Sequence, residues 1–252
     1  MVKVKDVAKA AGTSPATVSR VLNGVSTVNP EIANRVRQAI QDLNYHPNEA
    51  GRNLRRKTDN QLGPDFELRS RHNWEAKQRI AVKAAEFIKP SDVVVLDSGS
   101  TVAGMVPFID EGTLLYTNSL AILQPAARRN LHVHLAPGLY IPEMAAVFGE
   151  ETEAYFRNRK ATKYFLSSAR VDVRTGLWNV NHVTSAVKRA AIECANQVIL
   201  MVDHDKFCDS GLAGYASLSQ VNVLITDYVP TEFREQVIAA GIELIEVGQS
   251  SS

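Results

Sequence analysis

The chain has 252 residues, a 45% hydrophobic fraction and a formal net charge of +1, which leaves room for a small domain beside a larger one with a sizeable core. No stretch approaches the roughly 18 apolar residues needed to span a bilayer, and no long apolar run follows Lys3, Lys5 and Asp6 as a secretory leader would require. Two cysteines, Cys194 and Cys208, are too few for a disulfide framework or a zinc site, so a cytoplasmic chain without a membrane partner is expected.

Taken in chain order, the first predicted element is a short helix ending at Gly12, with Val7, Ala8 and Ala11 as its apolar stripe. A second opens at Ser14-Pro15 and runs to about Asn23, with Val18, Val21 and Leu22 facing inward. Ser14 suits an N-cap, and Pro15 sits where a missing N–H costs nothing. A third follows Asn29-Pro30 and runs to about Asn44, with Ile32, Val36, Ile40 and Leu43 at helical spacing. Three such stripes close one small core. They leave Pro15, Ala16, Thr17, Ser19 and Arg20 outward on the second helix. Small groups, hydroxyls and one arginine on a projecting helix suit the major groove of DNA, where Arg donates two bonds to guanine. The spacing alone also fits a generic three-helix bundle with a solvated face.

Residues 57–74, with Gly63-Pro64 at their centre, read as a polar linker or arm. Beyond them helices and strands alternate. Helices are expected at Glu75–Ile88, from about Thr101, and at Ser119–Arg129, Glu150–Arg159, Thr184–Ala195 and Thr231–Ala240. Strands are expected at Val93–Asp97, Leu114–Tyr116, Leu131–Ala136, Tyr164–Ser167, Val198–Val202, Val221–Thr226 and Glu243–Val247. This alternation implies α/β architecture, a mostly parallel sheet covered on both faces. Ligands then bind at the carboxyl ends of strands. Asp97-Ser98-Gly99-Ser100-Thr101, Thr117-Asn118, Pro137-Gly138 and Asp203-His204-Asp205-Lys206 all fall there. Glycine, hydroxyls and N–H groups at Ser98–Thr101 suit a phosphate cradle, with Lys206 as a point charge. Residues 1–60 hold 10 Lys and Arg against 5 Asp and Glu, and the remainder 18 against 22. A basic head on an acidic body is the charge layout of a DNA binder with a separate sensing or assembly domain.

Two resemblances sharpen this reading. Val4-Lys5-Asp6-Val7-Ala8, Ser14 through Asn23, Tyr45-His46-Pro47-Asn48 and Leu54 resemble the helix-turn-helix headpiece of the LacI family. The resemblance implies a DNA-binding head over 1–58 and double-stranded operator DNA as partner. It places Pro15, Ala16 and Arg20 at base edges, with Ser14, Thr17, Ser19, Asn23, Asn48 and Arg55 also on DNA. It makes 48–56 a hinge helix, and Leu54 a minor-groove wedge. Gly51 stands where the family usually has Ala, costing a helix roughly 1 kcal/mol.

The body resembles another family. Phe66-Glu67-Leu68-Arg69, Lys77 through Ala81, Leu96 through Thr101, Thr117 through Leu120, Val187 through Ala190, Asp203 with Lys206-Phe207, and Ile225-Thr226-Asp227 are similar to the DeoR-type sensor domain. That domain resembles the sugar-phosphate isomerase and CoA-transferase fold. The resemblance implies an effector and oligomerisation domain over 75–252, after a linker at 59–74. It implies a phosphorylated sugar at Asp97, Ser98, Gly99, Ser100, Thr101, Asn118, Gly138, Lys188, Asp203 and Lys206, and a homodimer or homotetramer. The chain departs from the family at Pro137, at Ser167–Asp172 and at Ala186. Arg170 is a candidate second cation there, and Trp178 a candidate sugar-facing ring. No cofactor, metal site or catalytic set is expected. The reading is a transcriptional regulator, a repressor of carbohydrate-utilisation genes. The alternatives are an isomerase-like enzyme with a DNA-binding appendage, or a DNA binder without a ligand.

Overall fold

The computed structural model describes residues 4–14, 17, 18, 21, 29–43, 65–208 and 213–248. It divides into two compact units, 1–60 and 61–252.

In the first unit, α1 (Val4–Ala10) and α2 (Pro30–Asp42) pack on a core of Val7, Ala8, Ala11, Val18, Val36 and Ala39. Gly12 makes the turn after α1 at φ +62°, a left-handed conformation that suits glycine. The Thr17 backbone N–H donates to Ser14 Oγ (3.1 Å), the expected N-cap of the second helix. Asn29 Oδ1 likewise accepts from the Glu31 N–H (2.8 Å) at the start of α2. Among the residues expected on DNA, Ser14 is exposed and Thr17 half-buried. Pro15, Ala16, Ser19, Arg20, Asn23, Asn48, Leu54 and Arg55 lie outside the described residues.

The second unit is built on seven parallel strands in the order β12-β11-β9-β6-β1-β2-β3. These are β1 (Val93–Leu96), β2 (Leu114–Thr117), β3 (Val133–Leu135), β6 (Ala161–Leu166), β9 (Ala195–Met201), β11 (Val223–Thr226) and β12 (Glu243–Glu246). Parallel strands covered on both faces read as apolar runs whose alternate residues point to opposite sides. Val95, Tyr164, Leu166, Val198 and Leu200 enter one core; Val94, Leu96, Phe165, Ile199 and Met201 enter the other. Full burial of a side chain such as Phe165 is worth about 1.5–3 kcal/mol. Helix α4 (Trp74–Ala85) covers the second face through Ile80, Ala81 and Ala84. Helices α7 (Glu150–Arg157), α8 (His182–Cys194) and α9 (Thr231–Ala239) bring Phe156, Val187 and Val237 to the first. The short helices α5 (Ser100–Ala103) and α6 (Leu123–Arg128) follow β1 and β2.

The expected linker at 59–74 contains a helix, α3 (Phe66–Arg71). It has no buried residue, so no apolar stripe announced it. Five short strands were also unforeseen. Strands β7 (Arg170–Asp172), β8 (Gly176–Asn179) and β10 (Ala213–Ala216) form one small antiparallel sheet; β4 (Leu139–Ile141) and β5 (Ala146–Phe148) form another. Elements of three or four residues are too short to display a period.

Candidate functional site

The chain leaves β1 toward β2 and β3 on one side, then returns to β6 and continues outward to β9, β11 and β12. The β1/β6 boundary is therefore the topological switch point, where a crevice opens beyond the strand ends. A cavity of about 220 Å³ lies there, lined by Ser98, Gly99, Ser100 and Thr101 after β1 and by Ser167, Ser168, Ala169 and Arg170 after β6. Helix α8 contributes Thr184 and Lys188, which share a face because they are four residues apart. Arg69 of α3, Lys77 of α4, Lys206, Asn179, Val180 and Met144 complete the wall.

The floor is an ion pair. Lys188 Nζ lies 2.5 Å from Asp97 Oδ2 and 2.9 Å from the Ser167 carbonyl oxygen. The Ser167 backbone N–H (3.1 Å) and Oγ (2.5 Å) also donate to Asp97 Oδ2. Burial pushes the Asp97 carboxyl up, but the Lys188 charge and these hydrogen bonds outweigh it and hold the group below the usual carboxylate range. Gly99 makes this closeness possible. A Cβ there would lie 1.9 Å from Ser167 Oγ and 2.5 Å from Ser167 Cβ.

The remaining cations have no carboxylate of their own on the wall. Arg69 donates to the Met144 carbonyl oxygen at 3.5 Å, and its Nε is buried without a hydrogen-bond partner. Lys77 is 4% exposed and donates to the Arg69 carbonyl oxygen. Burial pushes the Lys77 ammonium down to about 8; Asp203 opposes the shift, while Lys206 and Arg69 add to it. Arg170 is exposed, and its Nη1 lies 3.1 Å from Cys208 Sγ. Among the described residues the cavity wall therefore carries Arg69, Lys77, Arg170, Lys188 and Lys206 and no acidic side chain.

The residues expected at the site divide by position. Ser98, Gly99, Ser100, Thr101, Lys188 and Lys206 line the cavity, and Asp97 lies beneath it holding Lys188. Asn118, Gly138 and Asp203 lie elsewhere. Asn118 Nδ2 donates to the Val147 carbonyl oxygen (2.9 Å), tying β2 to β5. Gly138, at φ +145°, lets the chain pass Thr152, whose Oγ1 would lie 2.2 Å from a Cβ there. Asp203 accepts from Asn73 Nδ2 at 2.8 Å. Trp178 does not line this cavity: its ring packs over Gly214, and its Nε1 donates to Thr175 Oγ1 at 2.9 Å. Arg69 and Lys77 were missed as site residues. Lys77 left a signal, a charged residue in the stripe Lys77-Ile80-Ala81-Ala84.

The family model described as the DeoR C terminal sensor domain matches residues 72–228. The chain belongs to the DeoR sensor-domain family. Ahead of that match, residues 3–48 fit the model described as bacterial regulatory proteins, lacI family, so a LacI-type head precedes the DeoR domain. The HTH-type transcriptional regulator IolR of Bacillus subtilis is 29% identical over 164 residues, covering 64% of this chain. This chain spans 65% of that relative's length, less than two thirds. The HTH-type transcriptional regulator MalR of Streptococcus pneumoniae is 57% identical over 53 residues, 21% of this chain and 16% of that protein. A crystal structure of ribose 5 phosphate isomerase A from Neisseria gonorrhoeae aligns with 52% of each chain at 12% identity and a TM-score of 0.39, a likeness that carries no argument about function. The DeoR domain here thus takes its functional reading from its own cavity.

Proposed function

We propose that this protein is a sequence-specific transcriptional regulator, a repressor of carbohydrate-utilisation genes, controlled by a phosphorylated sugar bound in the DeoR-domain cavity. The observation that carries the ligand class is the wall of five basic side chains, with no acidic side chain among the described lining residues, beside the hydroxyls of Ser98, Ser100 and Thr101. A phosphate dianion supplies acceptors for the orphaned Arg69 Nε and for the lysines, and charge-assisted bonds of this kind are the strong ones. Sugar hydroxyls suit the Asn179, Ser168 and Thr184 side of the wall. Sensing is favoured over turnover. Isomerisation needs a positioned carboxylate base, whereas the Asp97 carboxylate is bound up with Lys188 and Ser167. The head, 1–58, reads operator DNA in a homodimer or homotetramer, and the effector acts by binding one arrangement better than another.

A thermal-shift screen of phosphorylated sugars against their unphosphorylated counterparts tests the reading. A ligand at one hundred times its Kd adds about 2.7 kcal/mol, which is roughly 5–10 °C for a domain of this size. Equal shifts from sugar and sugar phosphate would overturn the phosphate assignment. Lys77 adds a pH signature. The protonated amine attracts the dianion, so affinity for inorganic phosphate falls as pH rises through about 8. Titrations at neutral pH and at a pH one unit above that value check this, and Lys77→Met flattens the difference.

At the other end of the chain, Arg20→Ala lowers operator discrimination by about 1–3 kcal/mol while weak, sequence-independent binding persists. A gel-shift assay against operator and scrambled duplexes reads this, and unchanged selectivity would remove Arg20 from the base edges.

A further inference from the structure

The turn between α3 and α4 and the loop after β9 bring a second polar cluster together, away from the cavity floor. His72 caps the end of α3, and Asn73, in the left-handed conformation at φ 49° and ψ 40°, opens α4. His72 Nε2 lies 2.9 Å from Asp205 Oδ2. Asn73 Nδ2 donates to Asp203 Oδ1 (2.8 Å) and to Asp205 Oδ2 (2.9 Å). One ligand atom each from His72, Asp203 and Asp205 falls within 4.8 Å of the other two.

The cluster has a feature that hydrogen bonding within it does not explain. Asp203 is fully buried at 0% exposure. Asn73 occupies one of its oxygens, and the other, Oδ2, is buried with no hydrogen-bond partner. A buried carboxylate oxygen without a donor is costly, and native structures complete such a group with a cation or an ordered water. Lys77 attracts Asp203 electrostatically but makes no hydrogen bond to Oδ2, and its ammonium donates to the Arg69 carbonyl oxygen.

The geometry points to a divalent transition-metal site formed by His72, Asp203 and Asp205. This departs from the sequence-based expectation of no metal site. One imidazole nitrogen with two carboxylate oxygens suits ions of the Mn²⁺ to Zn²⁺ series, while Mg²⁺ and Ca²⁺ prefer oxygen throughout. The two carboxylates balance the charge of a dication, and the positions left open take water. Outer partners fix the ligands. His204 places Nε2 3.3 Å from Asp205 Oδ1 and Nδ1 2.5 Å from Asp227 Oδ2, and Asn73 clamps both aspartates. Such second-sphere bonds orient ligating groups and commonly change metal affinity 10- to 100-fold. Lys206, next in sequence to Asp205, lines the cavity. An occupied site therefore borders the anion site without sharing its groups.

The test uses the full chain, stripped with a chelator and free of sugar phosphate, so that its outcome is separate from that of effector binding. Titration with Mn²⁺, followed by loss of the free-ion electron paramagnetic resonance signal, is expected to show one ion per chain. Zn²⁺ is expected to compete for it. His72→Gln, at a half-exposed position, weakens binding by about tenfold or more, on the scale set by single-partner losses at metal sites. Asp203→Asn, which keeps an oxygen for Asn73, does the same while its far-ultraviolet circular dichroism and melting profile confirm a folded chain. Absence of saturable Mn²⁺ and Zn²⁺ binding, or stoichiometric binding equally strong in both variants, overturns the assignment.

Discussion

Lys188→Met is expected to destabilise the DeoR domain by about 3–5 kcal/mol, the usual cost of removing one member of a buried ion pair. Asp97 is 3% exposed, and in the variant its charge keeps, among the described residues, only the Ser167 donors and the distant Tyr164 hydroxyl, 3.4 Å from Oδ1. Urea denaturation of the two proteins reads the difference. The pH dependence supplies a second signature. Because the Asp97 carboxyl is depressed in the folded protein, its stabilising share is present above the unfolded pKa of about 3.9 and is lost as pH falls through the folded value. Lys188→Met removes that share, so the gap between wild type and variant closes in acid. Asp97→Asn combined with Lys188→Met restores most of the loss, since no uncompensated charge then remains. A double variant no more stable than Lys188→Met would mean that the lysine acts through packing instead. Ligand binding falls in both variants, because the ammonium on the cavity wall is gone.

Gly99→Ala is the second large effect expected. A single methyl is ordinarily a small change, and glycine to alanine often stabilises a chain slightly. Here the methyl would meet Ser167 Cβ at 2.5 Å. A hydroxyl can rotate away, but a Cβ moves only with its backbone, so β1 and β6 must part at their ends. Overpacking of this kind costs about 1–3 kcal/mol. The displacement also draws Ser167 away from Asp97 and widens the cavity at its cradle. Both the melting temperature and the affinity for a sugar phosphate are expected to fall, the latter by roughly tenfold for each 1.4 kcal/mol of lost contact. Ser167→Gly in the same chain relieves the clash and recovers part of the stability, less the Oγ bond to Asp97 that it removes. Failure of that rescue would place the strain somewhere other than Ser167.

The helices α4, α7, α8 and α9 were legible by their period, and the parallel strands, some only three or four residues long, as apolar runs set between helices. Each strand of the parallel sheet was expected within a few residues of its place, and so were α4, α7, α8 and α9. Their ends marked the cavity in outline, but not which ends form it. Asn118, Gly138 and Asp203 also sit at or just beyond strand termini, yet follow β2, β3 and β9. The crevice opens at β1 and β6, where the order of strands reverses. That order is a property of the assembled sheet and cannot be read from local spacing. Arg69 was hidden for a different reason: α3 lacks an apolar face, and its residues read as linker. Lys77 was available in principle, since a lysine in a stripe of Ile80, Ala81 and Ala84 must either be paired or have work to do.

The pair joining Asp97 to Lys188 spans 91 residues of chain. Contacts of such separation are closed late and slowly during folding, because the loop entropy is lost before the contact repays it. The cavity therefore does not exist in a half-built chain. Neither the β1–β3 portion nor the β6–β12 portion carries it alone, and a newly made polypeptide cannot be helped along by the proposed effector until both have met. Added sugar phosphate should accordingly slow the unfolding of the finished domain while leaving its rate of folding nearly untouched.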